Sequence, residues 1–402
     1  MFTPAAEAGH AHYTRELMTA LNNEPDSGFE FELVSAENLE DSCRNVPYKV
    51  HAILPRLKQR EDFSSKAAWV MDRITYYPKR ETAFLKWLEN RPDVVAVHLQ
   101  EWKPWLAVKL VRGIKNMGKK VYLTCHNVVP HRYPKLLPKS VVDGWIRKAT
   151  LMSDGVFVLS EKLVEELKQF LGNDRPHPPI RVTRHGVWTV AGLDKNITVE
   201  TRMSWKKLLM FGQMRSNKGL HTLLDAMNDL TDFSLTIAGQ ADDNAYWNQE
   251  ITPRIEKLRD KGVKIDVMER FITDEEMGTL FKTHSAIMLP YAKTFKSQSG
   301  VAFMALAYDL PMIASEAGGL HDLLNEFKVG VMFTGYEASA LAAATKQLFS
   351  SQSPSLLAAQ IQSAKDHYSW AVCARQTING YQMVQSNRME AHDHAIKPST
   401  AL

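Results

Sequence analysis

IMLPYAKTFKSQSGVAFMALA, residues 287–307, runs from a strand-length apolar segment through a polar turn into an apolar helix. The turn FKSQSG, residues 295–300, exposes backbone N–H groups at a helix start, with Lys293 and Lys296 beside them, and this makes a seat for phosphate. One helix N-terminus favours an anion by only about 0.3–1 kcal/mol, so a second seat is needed to carry the reading. FGQMRSNKGL, residues 211–220, supplies it. Its strand runs out at Gly212, and Lys218 and Gly219 open a helix whose apolar face is Leu220, Leu223, Leu224 and Met227. Arg215 can grip a diphosphate in bidentate fashion and Lys218 can meet it as a point charge. The spacing is not that of a P-loop and no GxGxxG follows a strand, which removes the main support for ATPase and dinucleotide oxidoreductase chemistry.

Outward from these two turns, apolar runs of strand length alternate with amphipathic segments of helix length along the whole chain. The strands expected in the first half are 29–35, 50–55, 93–100, 119–126, 155–160 and 180–186, with helices at 10–22, 64–90, 104–117 and 161–171. Met1 to Pro4 reads as the stub of an opening strand, short enough that the native start is expected to lie upstream. A second set follows at 207–213, 233–239, 263–269, 285–291, 311–316 and 329–333. Thr273 and Glu276 have capping-box spacing. The polar stretch 188–205 reads as a linker. The expectation is an α/β protein of two doubly wound parallel-sheet domains, 1–187 and 206–367, with a cleft between them and a tail at 368–402. Ligands in such sheets sit beyond the carboxyl ends of the strands.

Composition narrows the partners. The 402 residues are 45% hydrophobic and 23% charged, as in a soluble globular protein. Cys43, Cys125 and Cys373 are too few and too far apart for a disulfide framework or a zinc site, which fits a reducing, cytoplasmic compartment. Net charge is +4, yet residues 47–149 hold 21 Lys and Arg against 8 Asp and Glu, a surplus of 13 that leaves −9 for the rest. Basic clusters at 53–60, 109–120 and 130–139 mix with Trp102, Trp105, Tyr133 and Leu136. That mixture suits peripheral contact with an anionic membrane, here the inner face of the cell membrane. Nucleic acid is excluded as partner because no zinc-finger spacing or RNP sequence occurs.

The ordered set TCHNVVPH (124–131), DGVFVLSEKLVEEL (154–167), RHGV (184–187), LLMFGQMRSNKGLHTLLDAM (208–227), RFITDEEM (270–277), the segment 289–320 and YSWAVCARQT (368–377) resembles the glycosyltransferases of the GT-B fold. The resemblance is closest to family 4 and the related bacterial exopolysaccharide transferases. It implies two Rossmann-like domains and a closing helix that crosses back to the first. It also implies a hexose-type sugar donated from UDP or GDP, with no cofactor, to a glycan or lipid-linked acceptor in surface-polysaccharide synthesis. By the same resemblance Gly212, Arg215, Lys218, Ser297, Gln298, Ser299 and Gly300 hold the donor, and Arg270 and Phe271 lie by the base. The chain departs from the pattern at Gln213, where family members commonly carry Arg. It departs again at Ser297 and Met304, in the motif where many carry glutamates, and this leaves sugar identity and retention or inversion unassigned.

Glycosyl transfer requires stabilisation of an oxocarbenium-like transition state and of the departing diphosphate. Arg215 and Lys218 meet the second need without metal, and no DxD sequence is present. His126, at the end of KKVYLTCH, is the preferred active-site residue, as a sugar or phosphate contact in a retaining enzyme or as base in an inverting one. Glu101 is the next candidate. Glu7, Gly9, His185, Gly186, Gly318 and Gly319 are expected to line the cleft. A sugar-nucleotide epimerase of the same fold, and a two-domain sugar- or anion-binding protein without chemistry, are the competing readings.

Overall fold

The computed structural model describes residues 1–5, 8–25, 27–58, 62–130, 133, 137–173, 175–190, 197–296 and 298–396. Two compact units result, one of Met1–Gly186 with Trp370–Leu402 and one of Val187–Ser369. Unit 1 contains β1 (Leu33–Ala36), β2 (Val50–Leu54), β3 (Ala96–Leu99), β4 (Lys120–Cys125), β5 (Gly155–Val158) and β6 (Ile180–Val182). Phe2 bridges Val34 of β1 and Leu99 of β3 in parallel. The expected opening strand is therefore a single bridging residue that joins β2-β1 to β3-β4-β5-β6.

Unit 2 contains β7 (Lys207–Phe211), β8 (Ser234–Ala238), β9 (Ile265–Met268), β10 (Ala286–Leu289), β11 (Met312–Ser315) and β12 (Gly330–Phe333). Their order, β12-β11-β10-β7-β8-β9, is all parallel and places the reversal of winding between β7 and β10. Strands β10 and β11 are buried at every position, as expected where helices cover both faces of a sheet. Both candidate phosphate seats leave the sheet at this reversal, since one follows β7 and the other follows β10.

The closing helix, Trp370–Ile396, belongs to unit 1. Gly380 lets it lie against β5, because a Cβ there would meet the Phe157 ring at 2.5 Å. Tyr381 then joins Tyr122 and Phe157 in a buried aromatic cluster. The hydroxyls of Thr183 and Thr377 meet at 2.9 Å.

The stretch expected as a linker is different in character. Val199–Ser204 is a helix started by the Thr198 side chain, which accepts from Thr201 N. Val187, Val199 and Met203 enter the core of unit 2, and Trp188 Nε1 donates to the Gly300 carbonyl at 3.1 Å. Polar composition hid the one helical repeat, Val199 and Met203, inside this stretch. Among the described residues, no helix is long and apolar enough to cross a membrane.

Candidate active site

The unit 2 seat begins where β7 ends. Gly212 has φ 103°, a left-handed conformation that turns the chain out of the sheet, and its N–H donates to Ala238 O. Residues Ser216–Lys218 form one 3₁₀ turn, and Gly219, at φ 72°, starts the helix Leu220–Ala226. Only glycine fits here, because a Cβ on Gly219 would lie 1.9 Å from the Pro290 carbonyl oxygen at the end of β10. That close approach brings the two turns together, and Ala292 N donates to Asn217 O at 3.0 Å.

Lys218 is not a solvated loop charge. Its Nζ lies 3.7 Å from the centroid of Tyr291 and 4.5 Å from that of Phe295, an aromatic cage that holds the cation in place. The Tyr291 hydroxyl is in turn 2.9 Å from Ser299 Oγ. Ser299 is buried and caps the helix Gly300–Ala307 by accepting from Ala302 N at 3.4 Å. A continuous set of contacts therefore runs from Lys218 through Tyr291 to the second helix start. Arg215 Nη2 donates to Gln213 Oε1 at 2.5 Å, and Gln213 Nε2 donates to Asp242 Oδ1 at 3.0 Å, so the guanidinium is positioned at the rim.

Gln298 packs against Gly319, where a Cβ would come within 2.2 Å of its amide. Gly319 therefore serves Gln298, and Gly318, at φ 57°, makes the turn before it. Arg270 is committed to Glu276 by two hydrogen bonds of 2.8 and 2.6 Å, and the capping box of Thr273 and Glu276 forms as expected. Phe271 is 73% exposed. Ser297 lies outside the described residues, as does Glu7.

In unit 1, Glu101 and His126 come together on one cavity of about 300 Å³ at the carboxyl ends of β3 and β4. Burial, and then His10, His185 and His98 nearby, hold the His126 imidazole well below its ordinary pKa. It is neutral at neutral pH, and its Nε2 has no hydrogen-bond partner among the described residues. Burial opposes ionisation of Glu101, but Lys103 at 3.1 Å and His10 more than offset it and lower its pKa. A neutral imidazole and an ionised carboxylate thus share one cavity, a set able to accept a proton.

His185 and Gly186 are not open to a ligand. Both are buried, and a Cβ on Gly186 would strike the Trp370 ring at 2.2 Å, because the closing helix covers this corner. Burial brings the His185 pKa down to about 4. Gly9 sits within the helix Ala8–Asn23, and a Cβ there would meet nothing within 4 Å.

Sequence reasoning missed Tyr291, Phe295 and Asp242 in unit 2, and His10, Tyr13 and Trp370 in unit 1. Tyr291 precedes the FKSQSG turn and Phe295 opens it, and both carry an apolar pattern indistinguishable from core. Tyr13 has its ring centroid 5.2 Å from those of both His126 and His185, a convergence of residues more than a hundred positions apart.

The family model described as Glycosyltransferase Family 4 matches residues 8–190, and that described as Glycosyl transferases group 1 matches residues 205–351. No curated protein matches the chain by sequence. Among solved structures, a glycosyltransferase from Rickettsia africae is 17% identical with a TM-score of 0.67, and the match covers 96% of this chain and 98% of that one. Sucrose-phosphate synthase from Thermosynechococcus elongatus is 16% identical with a TM-score of 0.69 over the same shares. HepE of Anabaena in complex with UDP is 11% identical with a TM-score of 0.67, over 95% of this chain and 98% of that one. With one family model on its first half, the other on its second and this fold throughout, the chain belongs to the GT-B glycosyltransferases of the family 4 type.

Proposed function

We propose that the protein transfers a hexose-type sugar from a UDP- or GDP-linked donor to a glycan or lipid-linked acceptor in bacterial surface-polysaccharide synthesis. The observation that carries this is the Lys218–Tyr291–Ser299 contact set, which joins a cation and a capped helix start at the winding reversal of unit 2. A diphosphate fits such a place, and the Anabaena protein of like fold has been crystallised with UDP-glucose. Arg215, Lys218, Gln298, Ser299 and Gly300 stabilise the departing diphosphate without a metal ion. Ser297 is part of the proposed seat by sequence, with Gly212 as its turn and Arg270 and Phe271 toward the base.

In an inverting transfer the acceptor hydroxyl gives up its proton on unit 1 to Glu101 or to neutral His126. The +13 surplus of residues 47–149 supports peripheral attachment to the cytoplasmic face of an anionic membrane. Thermal-shift screening of UDP- and GDP-sugars tests the donor, since a ligand of the native state raises the melting temperature. The reading expects a rise with one nucleotide class and is overturned if neither class moves it.

A further inference from the structure

Arg80 stands on the helix Lys66–Glu89 and is 2% exposed. Its Nε and Nη2 have no hydrogen-bond partner among the described residues. The 3.8 Å approach of Nη2 to Glu81 Oε1 is beyond hydrogen-bonding range. The guanidinium lies 5.2 Å from the Tyr77 ring centroid and 5.9 Å from that of Tyr76, contacts that orient it while Nε and Nη2 stay open. Burying a guanidinium with open donors is costly, and a partner for them relieves that cost.

A cavity of about 190 Å³ lies beside it, lined by Pro4, Tyr76, Tyr77, Arg80, Glu101 and Lys103 among others. Pro4 follows the Phe2 bridge and Glu101 follows β3, so the cavity opens at the winding reversal of the unit 1 sheet. Two cations line it against one carboxylate, and that carboxylate is already bonded to Lys103 at 3.1 Å. Glu81, the adjacent acid, does not line the cavity, and burial pushes its pKa up to about 7 against the pull of Arg80 and Lys109. It is a poor counterion near neutrality.

We propose that this cavity binds an oxyanion through Arg80 and Lys103, and, resting on the transferase reading above, that the acceptor is an anionic sugar carrying a phosphate or carboxylate. A bidentate oxyanion satisfies the planar fork of Arg80, while Lys103 adds charge at the mouth.

Calorimetry on the full chain tests this with inorganic phosphate, glucose 6-phosphate, glucuronate and glucose as probes, each with and without saturating UDP. Inorganic phosphate and at least one anionic sugar should bind, glucose should bind at least tenfold more weakly, and the two anionic sugars distinguish phosphate from carboxylate. Lys103→Ala, and Arg80→Lys, which keeps the charge and loses the fork, should each weaken anion binding at least tenfold while UDP affinity stays within twofold. Anion binding that is absent in the wild type, or undiminished in both variants, overturns the cavity's assignment. Failure of both UDP and GDP to bind overturns the transferase reading alone, because the part of the phosphate signal lost in Arg80→Lys and Lys103→Ala measures the cavity without either nucleotide.

Discussion

The two units share one winding plan and treat charge at its reversal point in opposite ways. In unit 2 the candidate groups stand at the rim, with Arg215 tied to Gln213 and Lys218 held over two rings. In unit 1 the candidate base is sunk, with His126 kept neutral by burial. The proposed function accounts for the difference. A diphosphate arrives already charged and needs accessible cations, whereas proton acceptance from a hydroxyl needs a neutral or weakly solvated base.

The largest effect should come from breaking the joint that brings the unit 2 turns together. Gly219→Ala places a Cβ against the Pro290 carbonyl in a left-handed conformation, and it should destabilise unit 2 by about 3 kcal/mol or more in denaturant unfolding. Unit 1 should keep its protection in hydrogen exchange, and a loss shared equally by both units would break the comparison.

Lys218→Ala comes next. Losing a charge-assisted contact of about 1.5–3 kcal/mol should weaken UDP binding roughly tenfold to a hundredfold in calorimetry, with the fold retained. Arg215→Ala should act in the same direction.

Acidification should separate the units by size. Burial brings His98 down to about 3 and His185 to about 4, and lowers His126 as well. Unfolded imidazoles titrate near pH 6.5, so between there and about pH 4 the unfolded chain takes up protons that native unit 1 refuses. The stabilisation is complete above pH 6.5 and declines as pH falls toward the native values. Among the described residues unit 2 shows two lowered histidines, His221 and His284, against these three, so hydrogen exchange should show unit 1 losing protection more steeply.

The smallest effect is expected at Phe271→Ala. This ring is mostly exposed, and losing one stacking contact of about 1 kcal/mol should weaken nucleotide binding several-fold without lowering the melting temperature.

The same contrast explains how much could be read from the residues alone. All twelve strands fall on the expected segments, with β1 overrunning its segment by Ala36, because parallel strands buried on both faces leave continuous apolar runs such as AIML and MIAS. The candidate unit 2 seat was legible as a cluster of residues since its glycines, cations and capping serine are local in sequence. Its aromatic cage was not, because Tyr291 and Phe295 look like core until Lys218 is seen above them. In unit 1, Glu101 and His126 could be placed at strand ends, but Tyr13, His185 and Trp370 meet only after the closing helix returns. The burial of His185 and Gly186 followed from that return, and no short-range pattern encodes it.

The central claim, that the two turns after β7 and β10 form one diphosphate seat, is tested most directly by a crystal structure of the full chain soaked with UDP. The account predicts the diphosphate against Lys218 and Arg215 on one side and the start of the helix Gly300–Ala307 on the other. A diphosphate bound anywhere else on the protein contradicts it.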